Sequence, residues 1–114
     1  MRIKTQDYND VTVVELQGDL DSDFIELFQN TITDIVGAQK LGIVLDMSEV
    51  DFIDSQGLEK LLWARDYCLE NNCQLVLACL EENCQTILQV TRLENEFSHY
   101  SELAVAVKSL AQVE

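Results

Sequence analysis

The sequence predicts an α/β fold: a mixed, largely parallel sheet of four to five strands with about four helices. Three observations predict it. The chain opens with two short β-prone runs close enough together to form a hairpin. Beyond them, apolar residues at helical spacing alternate with continuous apolar runs, in the order β-β-α-β-α-β-α-(β)-α. Strands that alternate with helices imply crossover connections and parallel pairing. The third observation is size and composition: 114 residues, 47% of them apolar, with no Pro. Such a chain buries a core without disulfides or metal, and its composition excludes disordered and collagen-like classes. No linker, repeat or low-complexity stretch divides it, so residues 1–114 read as a single domain.

Residues 2–7 and 11–16 are the hairpin strands, with Tyr8-Asn9-Asp10 as their turn. Gly18-Asp19-Leu20-Asp21-Ser22 is a loop. Phe24, Ile25, Phe28, Ile32, Ile35 and Val36 recur at helical spacing, which predicts a helix over about 23–37. Asp21 or Ser22 caps it, Asp23 suits its positive end, and Gly37 fits its stop. Leu41-Gly42-Ile43-Val44-Leu45 runs without interruption into Asp46 and reads as a strand buried on both faces. A second helix runs from near Gly57 to Asn71-Asn72. Residues 74–79 form another buried strand, 82–91 a third helix and 97–100 a short strand. A last helix over 101–112 turns Leu103, Val107 and Leu110 inward. In such sheets binding residues gather at the C-terminal strand ends and the helix starts that follow. Two loops stand out there, 18–22 and 51–57.

Twenty-one acidic residues against seven basic ones give a net charge of −14. Such a surface repels nucleic-acid backbones and anionic membranes, and its natural complement is a partner with a basic face. The same charge also serves solubility. The first seven residues lack the apolar segment of a signal peptide. The run 75–80 is far too short to span a bilayer. No membrane insertion is expected, and a cytoplasmic setting is. Cys68, Cys73, Cys79 and Cys84 have no C-x-x-C spacing, and His99 is the only histidine. No metal or cofactor is therefore expected, and the thiols read as small buried hydrophobes. Asp19-Leu20-Asp21-Ser22-Asp23 starts like a calcium loop, but Phe24 and Asn30 stand where Gly and Glu belong. Asp46 ends a buried strand as a receiver aspartate would, without the acidic pair or the lysine that such domains need. Ser55 lacks a G-x-S-x-G setting. Enzymatic function is not expected.

The segment Asp51-Phe52-Ile53-Asp54-Ser55-Gln56-Gly57-Leu58 joins a strand to a helix. Phe52 and Ile53 are expected to anchor it in the core. Ser55 stands where an N-cap belongs, and its oxygen can accept a free N–H of the first turn. A phosphate there would meet several such N–H groups and the positive end of the helix dipole. Gly57 lets the backbone turn tightly and a partner come close. The plainer alternative is a serine cap worth about 1 kcal/mol.

Two segments resemble the STAS family, the sulphate transporter and anti-sigma factor antagonist domain. Gly18-Asp19-Leu20-Asp21 is similar to that family's Gly-acid-Leu-Asp loop. Residues 50–58 are similar to its Asp-Ser-Ser/Thr-Gly-Leu segment. The resemblance implies a STAS-like fold and a non-enzymatic, partner-switching regulator of bacterial transcription. The unphosphorylated form would bind an anti-sigma factor that is also a serine kinase, and so free the sigma factor. Phosphorylation at Ser55 would block that binding, and a phosphatase would be a further partner. Asp21 and Asp54 match the flanking acidic residues, and Asp19, Gln56 and Gly57 complete the surroundings. The same family also implies alternatives: a subunit that binds the ATPase of a lipid-transporting ABC system, or a ligand-sensing module.

The chain departs from the family pattern in several places. Gln56 replaces the usual second Ser or Thr. Glu59-Lys60 replaces a small or apolar pair and is expected on an exposed first turn. Thr91-Arg92-Leu93 stands where Thr-Gly-Leu is common. Leu58, Leu61, Leu62 and Leu69 are expected as the core stripe of this helix. Trp63 then lies roughly 120–140° off it at about 100° per residue, with Tyr67 near the opposite side. The pair suggests a contact with a partner or with a second copy in a homodimer. The alternative is partial burial against a neighbouring helix.

Overall fold

Alternation along the strands decides which layer forms where. In the computed structural model, which describes residues 2–110, the strands are β1 (Arg2–Tyr8), β2 (Val11–Gln17), β3 (Gly42–Glu49), β4 (Gln74–Ala78) and β5 (His99–Tyr100). They lie side by side in sequence order, β1 antiparallel to β2 and the rest parallel. The helices are α1 (Ile25–Gly37), α2 (Ser55–Glu70), α3 (Glu82–Val90) and α4 (Leu103–Leu110). Val14, Leu16, Ile43, Leu45, Leu75 and Leu77 face the layer of α1, α2 and α3, where they meet Phe28, Ile32, Leu61, Cys68 and Leu88. Their neighbours Val11, Val13, Val44, Val76 and Ala78 face the other way and pack against Ala106 of α4. A strand buried on both faces has no polar side to alternate with, which explains the unbroken apolar run of β3.

The expected elements are present, with local corrections. A 3₁₀ turn, Ser22–Phe24, precedes α1 and takes the cap from Asp21. Gly37 is the last residue of α1, and the left-handed turn falls on Gln39 at φ 63°. The strand expected over 97–100 shrinks to His99–Tyr100, because Phe97 turns into the core after a 3₁₀ turn at Glu94–Glu96. Arg65 of α2 ties that segment down: its guanidinium donates to the Glu96 carbonyl at 2.9 Å and pairs with the Glu96 carboxylate at 2.6 Å. Ser101 and Glu102 form a bend before α4, and residues 111 and 112 of the expected last helix lie outside the described residues. Leu103, Val107 and Leu110 do pack inward.

α2 and α3 end in the same way. Asn72 and Arg92, at φ 61° and 62°, take the left-handed conformation just past each helix. The next residue reaches back five positions: Cys73 N–H to the Cys68 carbonyl and Leu93 N–H to the Leu88 carbonyl, both 2.8 Å. These bonds satisfy carbonyls the helix leaves open. Arg92 therefore occupies the place where the family pattern often has glycine.

Candidate functional site

The two loops singled out in the sequence lie side by side at the C-terminal edge of β2 and β3. They are zipped together by backbone. Gly18, at φ 118°, donates its N–H to the Glu49 carbonyl at 3.0 Å. Leu20 N–H donates to the Phe52 carbonyl at 3.0 Å, and Asp54 N–H donates to the Leu20 carbonyl at 3.2 Å. Leu20 and Ile53 form a parallel bridge, so the strand pairing resumes inside the loops. Both side chains are buried and act as pegs.

Asp54 is the hub. One carboxylate oxygen accepts the Gly57 N–H at 2.8 Å, and the other accepts the Ser22 N–H at 3.3 Å. The helix cap expected at Ser55 therefore belongs to Asp54. A carboxylate is the stronger acceptor, and its charge suits the positive end of the helix. Ser55 becomes the first helical residue, exposed, with Gln56 exposed beside it. Asp21 has a similar role in the neighbouring loop, where it accepts the Asp23 N–H at 3.1 Å.

The role expected of Gly57 is also corrected. Gly57 is buried, and a Cβ there would overlap the Leu20 carbonyl oxygen and crowd Ile53 Cγ2. The missing side chain admits the neighbouring loop, not a partner. Phe52, expected in the core, is 50% exposed. Alternation through the loop turns Ile53 in and Phe52 out. Phe52 is the residue that sequence reasoning missed. Its signal was available: the Leu20–Ile53 pairing continues the strand period, which leaves Phe52 on the outer side.

Acidic groups surround this edge. Asp19 and Asp51 are exposed, and Asp21 and Asp54 are half-buried. Beneath them the Cys84 thiol donates to the Val50 carbonyl at 3.1 Å. Burial pushes that thiol up to about 11, and the nearby carboxylates of Asp51, Glu81 and Asp19 push in the same direction.

Farther along α2, the core stripe is rotated from the expected one. It consists of Gly57, Leu61, Ala64 and Cys68, while Leu69 is 60% exposed. Small residues face the sheet because the helix lies close on it, and the leucines at 58, 62 and 69 fall to its flank. Trp63 and Tyr67 are half-buried against the core, not on an outer face. Their rings stack at 5.0 Å, 15° from parallel. Lys60 sits over Trp63 at 4.8 Å and donates to Gln29 Oε1 of α1 at 2.6 Å. Lys60 is thereby tied into the α1–α2 seam, and Glu59 alone of that pair is exposed.

Among the described residues, no helix is long and apolar enough to cross a membrane, and no group of three or more His, Cys, Asp or Glu residues is placed to hold a metal ion.

No curated protein matches the sequence. Solved structures do match the fold. An anti-sigma factor antagonist from Mycobacterium paratuberculosis is 21% identical, with 97% of this chain and 94% of that one covered and a TM-score of 0.86. The anti-sigma factor antagonist SpoIIAA, in its unphosphorylated form, is 15% identical over 99% of both chains, TM-score 0.83. A Bacillus structure of SpoIIAA in its phosphorylated form also matches. A sulfate transporter family protein from Wolinella succinogenes is 15% identical, with 91% of this chain and 89% of that one covered and a TM-score of 0.80. The STAS domain model matches residues 2–106, and with it the zipped loops, the capping Asp54 and the mixed five-stranded sheet find their common frame: the chain belongs to the STAS family.

Proposed function

We propose that this protein is a non-enzymatic, partner-switching regulator of the anti-sigma factor antagonist type, with Ser55 as its phosphorylated residue. One observation carries the reading. Asp54 caps α2, so the Ser55 hydroxyl stands exposed on a rigid edge and is not required for the fold. A phosphate at the first helical position lies beside free N–H groups and the positive dipole end, which hold it in place. It adds about −1.5 to −2 charge to an edge already lined by Asp19, Asp21, Asp51 and Asp54. The unmodified face suits a partner with a basic rim and an apolar recess for Phe52, as an anti-sigma factor with serine kinase activity would provide. The modified face repels it. A phosphatase resets the switch, in a cytoplasmic setting.

The partner surface in this reading is Phe52, Ser55, Gln56 and Glu59. Trp63, Tyr67 and Lys60 brace the helix from behind, and a homodimer through the Trp63–Tyr67 stack would require that seam to open. The test is to recover the protein from its own cell, measure Ser55 phosphorylation by mass spectrometry and identify what co-purifies. The expected partner binds the wild type and loses at least about a hundredfold in affinity for Ser55→Asp, since like charges at an interface cost several kcal/mol. A transport ATPase that binds both forms equally would overturn the reading and favour a transport role, in line with the sulfate transporter family neighbour.

A further inference from the structure

The matched caps of α2 and α3 share a geometry but not a chemistry. In this cap the side chains at its two ends meet beneath the turn. α3 fills those places with Leu88 and Leu93. α2 fills them with Cys68 and Cys73, both free thiols in the buried core. The 2.8 Å bond from Cys73 N–H to the Cys68 carbonyl, with standard backbone bonds on either side, keeps the two Cα atoms no more than about 6.7 Å apart. Disulfides bridge Cα pairs up to about 6.8 Å apart.

We propose that Cys68 and Cys73 form an oxidisable dithiol, which closes to an intramolecular disulfide when the protein meets a low-molecular-weight disulfide of the glutathione type. The Cys73 thiolate attacks one sulfur of the small disulfide, forming a mixed disulfide and releasing one small thiolate. Cys68 gives its proton to solvent and attacks the Cys73 sulfur, and the second small thiolate leaves. Two protein thiols are oxidised by two electrons in total, and one small disulfide is reduced to two thiols.

The order of attack follows from the cap and from the pair it holds. The neighbouring Cys68 thiol holds Cys73 below the ordinary thiol range, and the Cys73 sulfur together with burial holds Cys68 above it. The thiolate is the nucleophile, and Cys73 lies outside α2, just past the left-handed Asn72, where opening of the cap exposes it before Cys68, so Cys73 reacts first. Access comes through the cap. Leu69, Glu70, Asn71 and Asn72 are all exposed, and fraying of this last turn uncovers Cys73 while the sheet stays intact. The other thiols are poorly placed. Cys84 is bonded to the Val50 carbonyl and held high by burial. Cys79 is raised by burial and by Asp46.

The test treats the reduced, folded full chain with oxidised glutathione, blocks free thiols and digests with a protease that cuts after glutamate. Cleavage after Glu59, Glu70 and Glu81 separates Cys68 from Cys73. The expected product is peptide 60–70 disulfide-linked to peptide 71–81. It persists in Cys79→Ser, which assigns the bond to Cys73, and disappears on reduction. In Cys68→Ser, Cys73 stops at the glutathione mixed disulfide. The proposal is overturned if Cys68 and Cys73 stay free under conditions that oxidise the urea-unfolded chain. It is equally overturned if the link is lost in Cys79→Ser or runs to Cys84. The wild type and Cys79→Ser decide the matter even where Cys68→Ser does not fold.

Discussion

The two edges of the sheet are stitched by different means. At the edge where β3 begins, the stitching is mostly backbone. The Asp10 carbonyl accepts the N–H groups of Leu41 and Gly42, at 2.8 and 3.2 Å, and Leu41 in turn accepts from Gln74 at 3.0 Å. Asn9, Gln39 and Asn72 turn the chain there in the left-handed conformation. At the opposite edge, carboxylates contribute. Asp54 and Asp21 accept backbone N–H groups that no carbonyl satisfies. The first edge carries one charged tie, from Lys40 to the Asn9 carbonyl and the Asp7 carboxylate, and opens into a cavity lined by Val36, Lys40, Tyr67 and Asn72. The second displays charge and an exposed serine on a frame that depends on those same charged side chains. Under the proposed function, stability and recognition are coupled at the second edge and separable at the first.

Two glycines, one near each edge, break that comparison most sharply. Gly57→Ala drives a methyl into the Leu20 carbonyl, with Ile53 crowding behind it. Neither loop can yield without losing the zip, and a loss of about 3 kcal/mol is expected. Gly37 lies in α1 near the other edge, and a Cβ there meets nothing within 4 Å. Gly37→Ala is expected to stabilise by about 0.5 kcal/mol through helix propensity and unfolded-state entropy. Urea unfolding of both variants checks the pair. Equal effects would show that the zip does not govern the site edge.

Next in size is Trp63→Ala. The stack with Tyr67 and the cation above it fill the α1–α2 seam. Removing the indole is expected to destabilise by about 2–3 kcal/mol, while affinity for the Ser55 partner changes less than twofold. Thermal unfolding read beside a binding titration checks both halves. A large loss of affinity in a stable variant would return Trp63 to the partner surface.

Much of this was legible in the sequence. Periodicity located α1 to α4 and the strands in their order along the chain, because buried faces impose their spacing on apolar residues. The two loops were legible as motifs. What was not legible were choices between neighbours. Asp54 and Ser55 are both good caps, and only the position of Ser22 N–H across the loop decides for the carboxylate. Phe52 and Ile53 are both core-type residues, and the Leu20 bridge decides which turns inward. In α2 the leucines suggested the stripe, but Gly57, Ala64 and Cys68 won it because close approach to the sheet selects small side chains over apolar ones.

Asp54→Ala tests the carboxylate stitching directly. It removes a cap and the tie to Ser22, and about 1–2 kcal/mol of destabilisation is expected. The counterpart is Asn72→Ala, where a left-handed turn is made harder for the side chain and about 1 kcal/mol is lost. The stability effects are similar, and the difference lies in binding. Asp54→Ala loosens the frame of Ser55 and is expected to lower partner affinity. Asn72→Ala is expected to leave it unchanged. Parallel titrations of the two variants separate a recognition edge from a structural one.

The smallest expected effect on stability sharpens the comparison furthest. Phe52 is half-exposed, so Phe52→Ala removes little buried area, and stability is expected to shift by less than about 0.5 kcal/mol. An aromatic held outward on a pinned loop, three residues before the exposed serine, is nevertheless the kind of anchor that dominates an interface. Affinity for the partner is expected to fall by about 2 kcal/mol, roughly thirtyfold. Calorimetric titration against the co-purified partner checks it. If affinity holds while Ser55→Asp still abolishes binding, recognition at this edge rests on charge alone, and Phe52 is only an exposed ring on the face opposite Ile53.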